Sequence, residues 1–383
     1  RGAVRDAGAT RLLSMADEIL VPKGIWGYSD PARLLAQRLG APEAFSVLAE
    51  IGVSQQTLLT RACLRIAGGE AQVVMIAGSE AKYRALCASK AGVEAAETAQ
   101  VDVEPDLSLL PEQEIWSPVE SAAGLGMPVG YYAIMDSALR HAQGLSVAGH
   151  RDQMARMYAR FSEIAAANPD AWSEAPVAAA TIRDATPGNR MLAFPYTKLH
   201  NSQWNVDQGA GLILCSAEVA AELGIPRERW VFPRAFAESN LMSVVASRGQ
   251  LGACPGFRLA GEAVANRAGV RLADVRLREL YSCFPLAVRS QLHEFGLDGE
   301  GDLSVTGGMT FGGGPFNNYV LQSTAAMIHR VRVDRRPGLV TAVSGMLTKQ
   351  GATVWGVDPP GSWHHADVTG EVAAATGRVP SGP

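Results

Sequence analysis

The sequence contains no apolar run long enough to cross a bilayer, and its opening residues carry no signal-peptide pattern. It has no large excess of one charge. Lys and Arg number 34 against 38 Asp and Glu, a formal net charge of −4, which leaves no basic footprint for nucleic acid or an anionic membrane. Cysteine is scarce. Cys63, Cys87, Cys215, Cys254 and Cys283 are odd in number and form no C-x-x-C pair. That excludes a disulfide framework or zinc-thiolate site and points to reduced thiols in a cytoplasmic protein. His364-His365, beside Trp363, is expected to be exposed, and no metal site is expected.

What the chain does have is apolar bulk and glycine punctuation. At 383 residues and 47% hydrophobic, it can bury a large core or two packed lobes. Ala3 to Gly8 reads as the last turn of a helix and its glycine stop. Pro359 to Pro383, rich in Pro, Gly, Ala and Ser, reads as a linker to an absent C-terminal segment, so a longer polypeptide is expected.

Between these ends a pattern occurs twice. A helix end and glycine precede the apolar run Ile19-Leu20-Val21, and again precede Val275 to Tyr281. The strand Phe45 to Ile51 runs into Gly52, then a helix (Gln56 to Ala67) and a buried strand (Val73 to Gly78) follow. In the second half, the expected strand Leu303 to Thr306 enters a glycine-rich turn. A helix from about Asn318 to His329 and the strand Leu339 to Val343 come next. Two such units in one order indicate a duplicated α/β fold with mixed sheets and a site at the strands' C-terminal ends. Residues 118–199 break the pattern with two helical runs (Tyr131 to Ala142, Val147 to Ala167) and read as an inserted, mostly α loop domain. The expected division is 1–117 with 200–235 as the first half, lacking its first strand, 236–358 as the second half, and 359–383 as the linker.

Four stretches give this pattern a resemblance. Val206 to Leu214 is similar to the thiolase "NDGAAALLL" strand, and Pro255 to Ala263 resembles the "GPxPAxxxAL" helix start. Tyr281-Ser282-Cys283-Phe284 sits where thiolases carry "NEAF" and sterol-carrier-type thiolases "HDCF". Gly307 to Pro315 sits where the family has "GGxxxxGHP". The chain thus resembles the thiolase superfamily over nearly its whole length, and most of all the bacterial thiolase-like proteins labelled acetyl-CoA acetyltransferases. The resemblance implies an α-β-α-β-α layering with two mixed five-stranded sheets and a role in lipid metabolism.

Thiolase chemistry needs a nucleophilic cysteine at a helix N-terminus, a histidine to activate it, a second cysteine for proton transfer and an oxyanion hole. Carried over by position, the nucleophile falls on Gly52, the "GHP" histidine on Gly314, the second cysteine on Val343 and the polar "NEAF" position on Ser282. None can do that work, so ordinary acyltransferase activity is not expected. Cys63 and Cys283 read as packing. A coenzyme A thioester remains the implied ligand, with no bound cofactor. Ser54, Gln55, His200, Asn201, Gly313, Gly314, Phe316, Asn317 and Ser344 are the candidate lining residues. The glycine-rich run offers either an anion site at a helix start or a tight turn, and His200 either lines the pocket or is structural. Arg151, Arg183, Arg190 and Lys198 are candidates for the CoA phosphates, a solvated helix face being the alternative. Tyr281 is the candidate acid or base of a retro-aldolase or acyltransferase, pocket lining being its alternative. A third reading is a non-catalytic scaffold for a small acyl-binding partner protein.

Overall fold

The computed structural model describes residues 2–100, 103–113 and 115–377. Helix α1 (Gly2–Ala7) ends at Gly8 in left-handed backbone and leads to strand β1 (Glu18–Pro22). Helix α2 (Pro31–Leu39), capped by the Asp30 side chain and stopped by left-handed Gly40, returns the chain to β2 (Phe45–Ala49). Helix α3 (Gln55–Ala67), β3 (Val73–Ala81), α4 (Lys82–Lys90) and β4 (Leu107–Leu109) follow. The inserted segment supplies α5 (Pro118–Ala122), α6 (Pro128–Ala142), α7 (Val147–Ala166), α8 (Ala179–Arg183) and a small hairpin of β5 (Met191–Ala193) and β6 (Tyr196–Thr197). The chain then returns through β7 (Asp207–Cys215) and α9 (Ala217–Glu222).

The second half contains β8 (Phe232–Ser239), α10 (Pro255–Ala268), β9 (Leu277–Glu279), α11 (Pro285–Glu294), α12 (Tyr319–Asp334), β10 (Gly338–Ser344) and β11 (Lys349–Gly356). Strand β12 (His365–Asp367) and α13 (Thr369–Ala375) close it. Two five-stranded sheets result, in the orders β4-β2-β1-β3-β7 and β12-β8-β11-β10-β9. The duplication is visible in the pairing. β1 and β3 are parallel with β7 antiparallel beside them, and β9 and β10 are parallel with β11 antiparallel beside them. Helices α3 and α12 touch each other and both sheets, forming the middle layer; α2 covers the outer face of the first sheet and α10 that of the second. Fully buried Leu58, Leu59 and Ala62 from α3 and Val320, Leu321 and Met327 from α12 fill that layer.

Four expectations need correction. Phe232 to Ser239 belongs to the second sheet, not to a first half running to residue 235, because it pairs antiparallel with β11 and buries Ala235, Phe236 and Ala237. The stretch from 359 is not all linker. His365 to Asp367 pairs with β8, while Val368 and Val372 are buried against the second core; residues 378–383 lie outside the described residues. His365 is correspondingly not exposed. Its Nε2 lies 3.1 Å from Glu238 Oε1 and its ring stacks on Trp363. Finally, Leu303 to Thr306 forms no strand; its backbone is held instead by a buried carboxylate described below.

Candidate functional site

The C-terminal ends of β2, β9 and β10 converge on one seam. The β2–α3 loop places Gly52 there at φ +100°, in the left-handed region that favours glycine. A Cβ at this position would meet Pro111 Cβ at 3.1 Å and Ile115 Cδ1 at 3.4 Å. Two donors close on the Gly52 carbonyl, Lys349 Nζ at 2.9 Å and Ser344 Oγ at 3.2 Å. Lys349 is 4% exposed, and burial pushes its ammonium pKa down against the opposing fields of Glu112 and Glu238. Sequence reasoning missed this lysine. Its signal was a lone cation opening an otherwise uncharged strand.

The helix start beside Gly52 is bound up in structure. Ser54 caps α3, its hydroxyl accepting from the Gln56 N–H at 3.3 Å. Gln55 reaches across to the second half: its Oε1 accepts from the Val320 N–H at 2.8 Å and its Nε2 donates to Asn317 Oδ1 at 3.4 Å. Asn317 Nδ2 and both side-chain polar atoms of buried Asn318 have no partner among the described residues. Phe316 is held at φ +40°.

On the other side three segments interlock. The Ser202 N–H donates to the Cys283 carbonyl at 3.1 Å, the Gln203 N–H to the Met309 carbonyl at 3.0 Å, and the Gly314 N–H to the Gln203 carbonyl at 2.8 Å. Ser282 is fully buried, its hydroxyl accepting from the Met309 N–H at 3.0 Å. A Cβ at Gly314 would lie 2.0 Å from Ser202 Oγ, and one at Gly313 2.1 Å from Gln208 Oε1. Serine and glutamine therefore fill the space that side chains at these glycines would need. Val343 is buried apolar core. Tyr281 is 8% exposed, stands edge-on to Tyr319 at 5.7 Å, and has its phenol pKa pushed up by burial, with Cys283 adding to the effect. Burial also pushes the Cys283 thiol up to about 12 and the Cys63 thiol higher still, so neither is a ready thiolate.

His200 is buried. Its Nδ1 accepts from the Thr197 N–H at 3.2 Å, so the neutral ring carries its proton on Nε2, which has no acceptor. Burial holds its pKa down to about 4. Asn201 is tied to the Thr197 carbonyl through Nδ2 at 2.7 Å. The site's hidden organiser is Glu279, fully buried at the end of β9. Its carboxylate accepts from the Val305 and Thr306 N–H groups at 2.7 and 2.9 Å, from Ser304 Oγ, and from the Tyr319 hydroxyl at 2.5 Å. It thereby fixes the chain that enters the glycine-rich turn.

The basic candidates divide. Arg183 is paired with Asp152 at 2.7 Å and Asp184 at 2.9 Å, and Arg151 donates to the Arg183 carbonyl at 2.7 Å and lies 3.8 Å from Asp184. Arg190 and Lys198 are exposed neighbours across the β5–β6 hairpin, where the Lys198 N–H donates to the Arg190 carbonyl at 2.9 Å. Among the described residues, no group of His, Cys, Asp and Glu could hold a metal ion, and no helix is long and apolar enough to cross a membrane.

Neither a protein-family model nor a curated protein matches the sequence. Solved structures do. A monomeric SCP2-thiolase-like protein type 1 from Mycobacterium smegmatis superposes with TM-score 0.81 at 28% identity, over 98% of this chain and 77% of that one. The Ltp2-ChsH2(DUF35) aldolase gives TM-score 0.66 at 19% identity, over 92% and 90%. Human mitochondrial 3-ketoacyl-CoA thiolase in complex with CoA gives 0.67 at 16%, over 93% and 89%. With its duplicated sheets, buried middle helices and inserted α segment, this chain has the thiolase-superfamily fold.

Proposed function

We propose that the protein binds a coenzyme A thioester and does not perform cysteine-based thiolysis or condensation. The observation that carries this reading is the occupancy of the reactive positions. Gly52 is covered by Pro111 and Ile115, Gly314 by Ser202, and Val343 is core, so no thiol or imidazole reaches the seam from those places. Support for the ligand comes from the similar thiolase solved with CoA and from exposed Arg190 and Lys198 on the inserted segment, which offer phosphate contacts. Isothermal titration with CoA and acetyl-CoA tests binding, and mass spectrometry after incubation tests for an acyl adduct. Saturable binding without an adduct is the expected result; no binding up to millimolar ligand removes the reading.

A second reading, a retro-aldolase or acyltransferase, is favoured by the environment of Tyr281. Burial keeps its phenol protonated at neutral pH, which suits a donor to a substrate carbonyl better than a base, and an aldolase is among the similar structures. In that case Tyr281→Phe abolishes turnover of the acyl-CoA substrate while CoA affinity in the same titration is unchanged. Full activity in the variant would exclude the tyrosine.

A further inference from the structure

A cavity of about 320 Å3 lies between the start of α10, the turn before β11, and α13; neither Gly52 nor Lys349 lines it. Its wall holds Arg248, nine-tenths buried. Among the described residues no carboxylate lies within ion-pair distance of this guanidinium. Nη1 donates to Met135 Sδ at 3.3 Å and Nη2 to the carbonyls of Ser243 (3.1 Å) and Met346 (2.7 Å), while Nε–H meets no acceptor. The acid whose field reaches it, Glu120, turns its Oε1 to the Ala246 N–H at 2.7 Å. A buried cation without a counter-ion is costly, and such groups are normally paired.

Two further features face the same cavity. Helix α10, 14 residues long, begins with Pro255 after Cys254, which supplies no side-chain cap. Pro255 has no N–H and the Phe257 N–H donates to the Cys254 carbonyl at 3.0 Å, which leaves the Gly256 N–H as the first-turn donor at the positive end of the helix. Gln350, also buried, packs its Oε1, an acceptor without a donor partner, over Gly256, where a Cβ would lie 1.9 Å from it; that oxygen would pair with a proton-bearing oxygen of the ligand, not with a bare anion. The one carboxylate in the lining, Glu294, has Oε1 engaged by the Cys254 N–H at 2.6 Å. Arg258, only loosely paired to Glu262 at 3.4 Å, adds a half-exposed second cation.

We propose that this cavity is a binding site for a small oxyanion, a carboxylate or phosphate group, held between Arg248 and the first turn of α10 with Arg258 at the rim. The buried guanidinium supplies the charge, the helix start supplies its dipole and the Gly256 N–H, and the volume, at the low end for ligand pockets, suits a small metabolite or one end of a larger one. Titration of the full chain at low ionic strength with inorganic phosphate and separately with acetate tests it, and neither probe carries a thioester. One-site saturable binding of at least one probe is expected; the tighter probe identifies the source chemistry. Arg258→Ala should weaken binding roughly threefold, as befits an exposed pair. Arg248→Met, checked for folding by circular dichroism, should weaken it at least about tenfold. No saturable binding of either probe, or binding unchanged in both variants, would overturn the proposal.

Discussion

On the proposed reading, Gly52 stands where a thiolase would carry its nucleophile. Restoring a thiol by Gly52→Cys places a side chain at φ +100° and against Pro111. The variant should lose about 1–3 kcal/mol of stability in urea unfolding and still form no acyl-enzyme with acetyl-CoA, because the wall that closes on the glycine is unchanged. An acyl adduct on the introduced thiol would show that the seam is open to substrate. His200 provides a pH readout. Its pKa is depressed from 6.5 to about 4 when folded, so the unfolded chain binds the proton first. The stability it contributes is full above about pH 6.5 and is lost as pH falls towards 4, up to about 3 kcal/mol over that window. His200→Gln should remove that part of the pH dependence, measured as the difference in unfolding free energy between pH 7 and pH 4.5. At this scale, motif order and position single out Gly52, Gly314 and Val343 as the places where the resemblance puts the reactive groups. Lys349 and Glu279 were not legible, since each is defined by burial and by partners far away in sequence.

At the scale of elements, periodicity and glycine stops located β1, α3, β3, α12 and β10, whose apolar patterns are strong enough to be read one at a time. Elements that depend on a neighbour were misread. Residues 303–306 look like a strand, yet Glu279 draws their N–H groups out of any ladder. The stretch from 359 looks like linker because Pro, Gly and Ser dominate its composition. What composition does not reveal is that β8 offers a free edge for three residues, or that a short helix can then bury one valine. That docking is testable through Val372, which is 2% exposed on α13. Val372→Asp buries an unpaired carboxylate and should cost about 2–4 kcal/mol, whereas the same change in a solvated linker would cost almost nothing. Chemical denaturation of the two proteins under one set of conditions separates these outcomes.

For the whole molecule, the decisive joint is between the inserted segment and the second half. Asp136 of α6 is fully buried and paired directly with Arg289 of α11; Tyr196 donates its hydroxyl to the same carboxylate at 2.7 Å, and His150 Nε2 stands 3.2 Å away. Arg289 Nη2 also donates to Gln143 Oε1 at 2.6 Å. No local pattern could have paired residues 153 positions apart, yet they fix how the inserted helices meet the lobe that carries Tyr281 and the glycine-rich turn. Buried pairs of this kind contribute little net stability compared with apolar packing, but breaking one side leaves an uncompensated charge. Asp136→Ala should therefore cost about 3–5 kcal/mol, and should raise amide exchange first in α6 and α7, the elements released from the lobe. In Asp136→Ala/Arg289→Met the stranded guanidinium is gone, so most of that loss should return, giving a coupling of about 2 kcal/mol or more in a double-mutant cycle. If the double variant is as unstable as the sum of the two single ones, the charges act independently. The inserted segment would then be held by apolar contacts such as the Tyr132–Phe284 stack at 4.3 Å.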